Sequence, residues 1–144
     1  MYEFPNGFSD LDNWQNADDG TDSLENRKTK LMLAVAKAEG YGIPGAIPTR
    51  ANNPGDLTRS LGFSTTGETL GSAGVMVFTT RDDGWGALDR QFSLIQSGHS
   101  IHKLTDTILS FAHSYTATEQ AVWAANVARE MGVDPNTTLD QILA

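Results

Sequence analysis

The residue with the clearest chemical potential in this chain is Glu39. It follows a nearly unbroken apolar run, Leu31–Ala38, and is followed at once by Gly40. A carboxyl group in the last turn of a buried helix, where a glycine-rich loop begins, lies at the edge of a cleft. Because loss of water raises the pKa of a carboxyl group, such a side chain can stay protonated at neutral pH and act as a general acid. The alternative is an ordinary solvated glutamate at a helix end.

A second carboxylate is needed if the chemistry is a simple retaining or inverting glycoside hydrolysis. Asp56 belongs to a turn-rich string, Asn52-Asn53-Pro54-Gly55-Asp56-Leu57, and Glu68 lies in the glycine-interrupted segment that follows. Either side chain can face Glu39. The competing interpretations are local turn capping for Asp56 and an exposed loop charge for Glu68.

Two asparagines and two tyrosines are candidates for the walls of such a cleft. The Asn53 amide can bind the N-acetyl or hydroxyl groups of a sugar, or it can hold the turn. For Asn52 we favour the structural role, because asparagine tolerates left-handed backbone. Tyr115, and as a weaker choice Tyr41, can stack on a sugar ring and hydrogen-bond Glu39. The alternative for Tyr115 is a half-buried core position.

Other kinds of site are not indicated by the sequence. The three histidines lack the spacing of a His-x-x-x-His zinc motif. There is no Gly-x-Ser-x-Gly nucleophile elbow. The glycines at positions 40, 42 and 45 neither follow a strand nor open a helix, as a phosphate-binding loop requires. We therefore predict no metal site and no cofactor.

Composition excludes further classes of function. Residues 1–26 carry seven acids and no Lys or Arg, whereas the rest of the 144 residues hold nearly equal numbers of acids and bases. Nucleic-acid binding is not expected, because phosphate neutralisation needs a clustered basic surface.

The absence of cysteine excludes disulfides and cysteine nucleophiles. No apolar stretch approaches the roughly 20 residues of a membrane span, and no signal-peptide pattern is present. We take the chain to be a monomer.

The elements that must position these side chains are mainly helical. Residues 1–23 lack periodicity and are predicted to be a flexible acidic extension, although their four aromatic side chains can dock in a groove of the domain or of a partner. Residues 24–144 are predicted to form a single domain. Hydrophobic periodicity and capping residues predict helices over about 23–39, 81–97, 105–114 and 118–131, and a short last helix that ends at Leu143.

The segment between the first two long helices has a different character. Residues 40–57 are too rich in Gly and Pro for a regular element, and Leu57-Thr58 and Val75–Phe78 carry weak strand signals. We expect a small, irregular β-hairpin there. Trp85 and Trp123 are predicted to fill the core. The sequence therefore predicts an α+β fold that is predominantly α.

Several of these strings resemble the lysozyme-like, lytic-transglycosylase-like domains of bacterial secreted proteins and phage particles. The resemblance extends over roughly residues 28–140. It implies a lysozyme-like fold, with a cleft between a small β-lobe and a helical lobe. The strings that carry it are Ala36-x-x-Glu39-Gly40, the Pro44–Pro48 loop, Asn52-Asn53-Pro54-Gly55-Asp56-Leu57, Asp82-Asp83-Gly84-Trp85-x-Ala87-Leu88 and Trp123-Ala124-x-Asn126-Val127-x-x-x-Met131-Gly132-Val133-Asp134-Pro135.

The resemblance also implies an activity. The expected partner is the glycan strand of peptidoglycan, cleaved at the β-1,4 bond between N-acetylmuramic acid and N-acetylglucosamine with Glu39 as proton donor. Lytic transglycosylases use one glutamate as acid and then as base, with help from the N-acetyl group of the substrate, and release a 1,6-anhydro sugar. Both muramidase and transglycosylase chemistry stay open, and the lack of an obvious second catalytic acid favours the latter. The expected location is extracytoplasmic, periplasmic or secreted, or a phage particle.

The alternative belongs to another class of protein. A lysozyme-like fold can serve as a glycan-binding or virion-structural module that keeps the cleft without turnover. Two observations favour it. The chain has no Gly-Leu-Met-Gln segment of the kind found in many transglycosylases, and its acidic extension would repel anionic wall polymers.

Overall fold

The computed structural model describes residues 17–116 and 119–144. Within these ranges the chain forms six helices and one antiparallel hairpin of two strands, so the predicted fold class, α+β and predominantly α, is confirmed. The hairpin register is irregular between Thr65 and Thr69. In chain order the elements are α1 (Leu24–Glu39), α2 (Ile47–Arg50), β1 (Thr65–Leu70), β2 (Val75–Phe78), α3 (Arg81–Gln96), α4 (Ile108–Tyr115), α5 (Gln120–Met131) and α6 (Asp140–Leu143).

Helix α1 begins and ends where the sequence predicts. The Ser23 hydroxyl accepts a hydrogen bond from the backbone N–H of Asn26, at 3.1 Å, and so satisfies a group that the first turn leaves without a partner. Gly40 closes the helix in the left-handed region, with φ of 91°, where a residue with a Cβ would be strained. Glu39 is therefore the last helical residue, as expected.

Helices α3 and α4 also begin directly after a capping residue. Thr80 caps α3: its hydroxyl accepts from the backbone N–H of Asp83 at 3.1 Å and donates to the Asp83 carboxylate at 2.8 Å. Thr107 caps α4 in the same way, accepting from the backbone N–H of Ser110 at 3.0 Å. That cap explains why α4 begins at Ile108 and not at the predicted position 105.

Two predictions for the segment after Gly40 are wrong. A short helix, α2, forms where no regular element was expected, and Pro48 is tolerated in its first turn because that turn needs no N–H there. The first strand is Thr65–Leu70 and not Leu57-Thr58. Most of this strand is exposed on both faces, so it lacks the alternation that marks a strand in a sequence. Leu57 instead accepts a backbone hydrogen bond from Met76 at 2.9 Å.

The core brings α1 and α5 side by side. Helix α1 packs against α5, α6 and α3, and α4 packs against α5. Trp85 is buried in this core, as predicted, and so are Leu31, Phe92 and Phe111. Burying one such side chain stabilises the fold by about 1.5–3 kcal/mol. None of the helices in the described ranges is long and apolar enough to span a bilayer.

Residues 17–23 lie against the start of α1. Ala17 is fully buried, and Asp18 Oδ1 accepts a hydrogen bond from Asn26 Nδ2 at 2.8 Å. The backbone N–H of Asp19 donates to Asn26 Oδ1 at 3.0 Å. This part of the predicted flexible extension is therefore docked on the domain. The prediction for residues 1–16 lies outside the described residues.

The turn that carries Asp56 packs on the start of α3. Gly84 approaches this turn so closely that an added Cβ would lie 1.8 Å from the carbonyl oxygen of Asn52. Asn52 has a left-handed backbone, with φ of 51°, and its side-chain N–H donates to the carbonyl of Phe78 at 3.1 Å. The structural role predicted for Asn52 is confirmed. The contact with Gly84 determines how closely the turn packs on α3.

We expect Gly84→Ala to destabilise the protein by about 2 kcal/mol or more, because the new methyl group must push the turn away from α3. In an unhindered helix the same change would stabilise by about 0.5–1 kcal/mol. Urea unfolding of both proteins measures the difference. Arg90→Ala, at an exposed position of the same helix, is the matched control and should stay within about 0.5 kcal/mol. A neutral Gly84→Ala would contradict the close approach.

Candidate active site

Glu39 makes two side-chain contacts at the end of α1. The indole N–H of Trp123, on α5, donates a hydrogen bond to Glu39 Oε1 at 2.8 Å. The carboxyl group of Asp56 lies close enough to Glu39 to raise its pKa through a hydrogen bond and through its charge. The side chain is therefore partly buried in a polar cluster and does not extend into bulk solvent. This cluster of Glu39, Asp56, Trp123 and Tyr115 is called the carboxyl cluster below.

The carboxyl cluster holds a proton at neutral pH. Burial raises the pKa of Glu39 to about 9, the hydrogen bond and the negative charge of Asp56 raise this pKa too, and the N–H of Trp123 opposes the rise. Burial also raises the pKa of Asp56, while its hydrogen bond with Glu39 lowers it. No N–H or O–H group of the described residues is placed to donate to the buried Asp56 Oδ1. A proton on Glu39 supplies a donor between the two groups, so Glu39 is the protonated member of the pair.

Tyr115 supports the cluster from the end of α4. Its hydroxyl donates a hydrogen bond to the backbone carbonyl of Gly55 at 2.7 Å, and its ring stacks on Trp123 with the centroids 5.3 Å apart. Burial raises the pKa of Tyr115 well above its ordinary value, and the charges of Glu39 and Asp56 add to this effect, so the phenol stays neutral. Tyr115 lies at the site, as predicted, but it anchors the turn that carries Asp56 and does not hydrogen-bond Glu39.

A glycine at position 55 favours this anchoring. An added Cβ there would lie 2.7 Å from the Tyr115 hydroxyl oxygen and 2.7 Å from Leu88 Cδ1. A side chain at this position would therefore push the ends of the Tyr115 and Leu88 side chains away from the turn. Asp56 follows with a left-handed backbone, φ of 50°, a conformation that aspartate tolerates better than most residues.

A cavity of about 470 Å³ opens beside the carboxyl cluster. This volume falls within the range of small-molecule sites. Glu39 is not among the residues that line this cavity, but its hydrogen-bond partner Asp56 is. The polar side chains on its walls, besides Asp56 and Tyr115, include those of Arg59, Gln91, His102 and Ser114.

His102 is a site residue that the sequence did not single out. It is buried, its Nδ1 lies 3.0 Å from the hydroxyl of Ser114, and its ring meets Phe111 edge to face with the centroids 4.9 Å apart. Burial lowers the pKa of His102, so the imidazole is neutral at neutral pH. A neutral imidazole at a cavity wall offers one donor and one acceptor. Within the described ranges no three His, Cys, Asp or Glu residues come close enough to hold a metal ion.

Asn53 is not available to a substrate. The side chain is fully buried, and its amide N–H groups donate to the carbonyls of Leu57 and Met76 at 2.9 and 2.8 Å. Its carbonyl oxygen accepts from the backbone N–H of Leu57 at 2.9 Å. The prediction that Asn53 binds sugar is therefore corrected: this amide ties the Asp56 turn to the strand β2.

Two other candidate residues lie away from Glu39. Glu68 is exposed on β1, so it matches the alternative interpretation of a surface charge. Tyr41 is buried, and its ring meets that of Trp85 edge to face with the centroids 5.4 Å apart. Burial raises the pKa of Tyr41. Neither residue is part of the carboxyl cluster, and we withdraw both as substrate-binding candidates.

Trp123 was predicted as a core residue, and this prediction is incomplete. The ring is buried, but its N–H is the donor that meets Glu39. A buried indole N–H usually finds a hydrogen-bond acceptor. The presence of a buried tryptophan was therefore the one signal in the sequence that Trp123 has a polar partner. The acceptor lies 84 positions earlier in the chain, so only the packing of α5 on α1 identifies it.

No family model, no curated protein and no solved structure matches this chain. The resemblance of its short strings to lysozyme-like domains therefore remains a hypothesis. The carboxyl cluster and the cavity beside it are the features of the structure that bear on function.

The raised pKa of Glu39 links folding to pH. A carboxyl group that binds its proton more tightly in the folded state than in the unfolded state stabilises the folded protein. This stabilisation is fully present below the ordinary pKa of 4.5 and is lost as the pH rises through about 9. We expect the free energy of unfolding to fall over this interval, by at most about 1.4 kcal/mol per pH unit. Glu39→Gln should flatten the fall, and Glu68→Gln, at an exposed position, should not. Urea unfolding at several pH values measures this, and an unchanged slope in Glu39→Gln would contradict it.

Asp56 and Trp123 should shift the pKa of Glu39 in opposite directions. Asp56→Asn removes a negative charge and is expected to lower this pKa. Trp123→Phe removes the N–H donor but keeps an aromatic ring, and is expected to raise it. Titration of the Glu39 carboxyl carbon by NMR measures both shifts, with Trp85→Phe as a control that should leave the pKa in place. Shifts of the same sign would refute the assigned contacts.

Proposed function

We propose that this protein cleaves the glycan strand of peptidoglycan with Glu39 as the general acid. The observation that carries the proposal is the partly buried carboxyl group of Glu39, which the N–H of Trp123 holds next to Asp56 and beside a cavity of small-molecule size. Burial and Asp56 raise its pKa to about 9, so it is protonated at neutral pH. Cleavage of a glycosidic bond requires a proton on the leaving oxygen as the oxocarbenium-like state develops. The N–H of Trp123 favours the carboxylate that Glu39 becomes after donating that proton.

The interaction of the two carboxyl groups supports a reaction that uses only one of them. Retaining and inverting enzymes hold two carboxyl groups apart, so that a sugar carbon or a water molecule can lie between them. Glu39 and Asp56 instead interact with each other, and each shifts the pKa of the other. Asp56 is therefore a poor candidate for a nucleophile or for a base that activates water.

The reaction that fits one carboxyl group is lytic transglycosylation. As the bond from the anomeric carbon to the leaving oxygen breaks, that oxygen takes the Glu39 proton and the N-acetyl oxygen of the substrate bonds to the anomeric carbon. The sugar's own C6 hydroxyl then gives its proton to the Glu39 carboxylate and displaces the N-acetyl oxygen, which leaves a 1,6-anhydro sugar. Glu39 is protonated again at the end, and no water is consumed.

The cavity beside Asp56 supports the substrate class. Its walls combine an amide, two imidazoles, hydroxyl groups and one guanidinium group, and these donors and acceptors suit the N-acetyl and hydroxyl groups of a sugar. The proposal includes a lysozyme-like fold, because the order of helix, hairpin and helical lobe, with the acid at the end of α1, agrees with the resemblance of the sequence. Such an activity would operate outside the cytoplasmic membrane or in a phage particle.

A non-catalytic glycan-binding or virion-structural module is the second candidate. One observation favours it: Glu39 uses its carboxyl group in contacts within the protein and does not line the cavity beside Asp56. In that function the carboxyl cluster would fix the walls of a binding site, and the proton on Glu39 would only allow the two carboxyl groups to be buried together.

Digestion of purified peptidoglycan, with products resolved by mass spectrometry, tests the proposal. We expect anhydro-muropeptides from the wild type and a loss of about 10²–10⁴-fold in rate for Glu39→Gln, since that is the contribution of a general acid. Glu68→Gln is the matched control and should keep the wild-type rate. Asp56→Asn should keep the anhydro product, at whatever rate it retains.

The other outcomes separate the alternatives. Reducing-end products that disappear in both Glu39→Gln and Asp56→Asn would establish a hydrolase with two catalytic carboxyl groups and would overturn the one-carboxylate reaction. A folded wild type that binds glycan strands but releases no product would overturn the enzymatic proposal in favour of the binding module.

A further inference from the structure

A second cavity, of about 810 Å³, lies between α1 and α5 and shares no lining residue with the cavity beside Asp56. Its apolar surface comes mainly from one side of α1 and from the turn that follows Gly40. The apolar side chains that line it are Leu33, Ala34, Ala38, Tyr41 and Ile43. We call this cavity the α1–α5 groove.

The charged side chains of the α1–α5 groove carry an excess of one positive charge. Lys30, Lys37 and Arg129 line it, against the two acids Asp18 and Glu130. Lys37 pairs with Glu130 at 3.0 Å. Lys30 attracts Asp18 and lowers the pKa of that carboxyl group, after the larger effects of its hydrogen bonds. The groove thus presents an apolar surface together with a small positive excess of charge.

The chain itself enters the described structure at this groove. Ala17 is fully buried in the core, and Asp18 both lines the groove and accepts a hydrogen bond from the Asn26 side chain at 2.8 Å. The described part of the chain therefore begins beside the groove. Trp14 comes three positions before Ala17 in the sequence, and three residues of extended chain span about 10 Å.

The chemistry of residues 1–16 matches the groove. This segment contains Glu3, Asp10 and Asp12 and no Lys or Arg. Its four aromatic side chains, at positions 2, 4, 8 and 14, need an apolar surface if they are to leave water. The cavity beside Asp56 offers a poorer match, because Asp56 itself lies on its wall and shares a buried negative charge with Glu39.

We propose that residues 1–16 dock in the α1–α5 groove, with their aromatic side chains on its apolar surface and their acids next to its lysines and arginine. This inference does not depend on the proposed function. It predicts that the segment covers the two helices that carry Glu39 and Trp123 and leaves the cavity beside Asp56 open to a substrate.

Disulfide trapping tests this docking. Because the chain has no native cysteine, a disulfide can form only between the introduced cysteines. Ser9→Cys is combined with Ile43→Cys at the groove, or with Ile101→Cys at the other cavity; the two isoleucines are 61% and 82% exposed. Seven residues lie between Ser9 and Ala17, and the eight steps between their Cα atoms can span up to about 28 Å. We expect the disulfide with position 43 to form at least tenfold faster under mild oxidation.

Each other outcome overturns the proposal in a distinct way. Similar rates at the two positions would mean that the segment has no preferred site. Faster trapping at position 101 would place the segment over the cavity beside Asp56, as a self-inhibitory segment would lie. Disulfide-linked dimers at position 43 would mean that the groove takes the segment of a second copy.

A charge reversal checks that the groove itself, and not the position of the cysteine, causes the preference. Lys30→Glu in the Ser9→Cys, Ile43→Cys protein should slow trapping several-fold, because it removes a cation that faces the acidic segment. Arg90→Glu, at an exposed position of α3 outside the groove, makes the same change in charge and should have no effect. Thermal unfolding confirms that both variants are folded, and equal slowing by the two would contradict the proposal.

Discussion

The burial of Glu39 next to Asp56 is the constraint on which the carboxyl cluster depends. Two carboxyl groups can be buried together at neutral pH only if one of them keeps its proton. Elements from distant parts of the chain meet to satisfy that condition: α1 ends at Glu39, the turn after α2 presents Asp56, α5 supplies the indole N–H, and Tyr115 at the end of α4 holds the turn in place. Displacing any one of them would leave a buried polar group without its partner, which costs about 1–3 kcal/mol.

The same contact determines which chemistry the cluster can support. A Glu39 that has lost its proton lies next to Asp56 and is a strong base, because two negative charges are then buried together. The Trp123 N–H reduces this penalty but does not reverse it, since the pKa stays at about 9. In the proposed reaction this is an advantage, because the proton must return to Glu39 within the same turnover. A hydrolase that holds two ionised carboxyl groups apart would have no use for the arrangement.

Several helix ends were predictable from the sequence, whereas the short helix α2, the strand β1 and the contacts across the fold were not. Ser23, Gly40 and Thr80 each act on a neighbouring backbone group. The type and position of each residue were therefore sufficient to predict where a helix begins or ends. Glu39 was identified in the same way, from the apolar helix before it and the glycine after it. Asn53 shows the limit, because a free amide and an amide that holds a turn look the same in a sequence. The partner of Trp123 depended on how α5 packs on α1, and no local pattern contains that information.

Helices α1 and α5 carry both the α1–α5 groove and the hydrogen-bonded pair of Glu39 and Trp123. Each helix contributes side chains to the groove, and the ion pair of Lys37 and Glu130 joins the two helices there. At the end of α1, Glu39 accepts the hydrogen bond of the Trp123 indole N–H from α5 at 2.8 Å. None of the described residues that line the cavity beside Asp56 belongs to either helix. A segment docked in the groove would therefore contact the two helices that carry the acid and its donor, while the walls of the cavity beside Asp56 stay free.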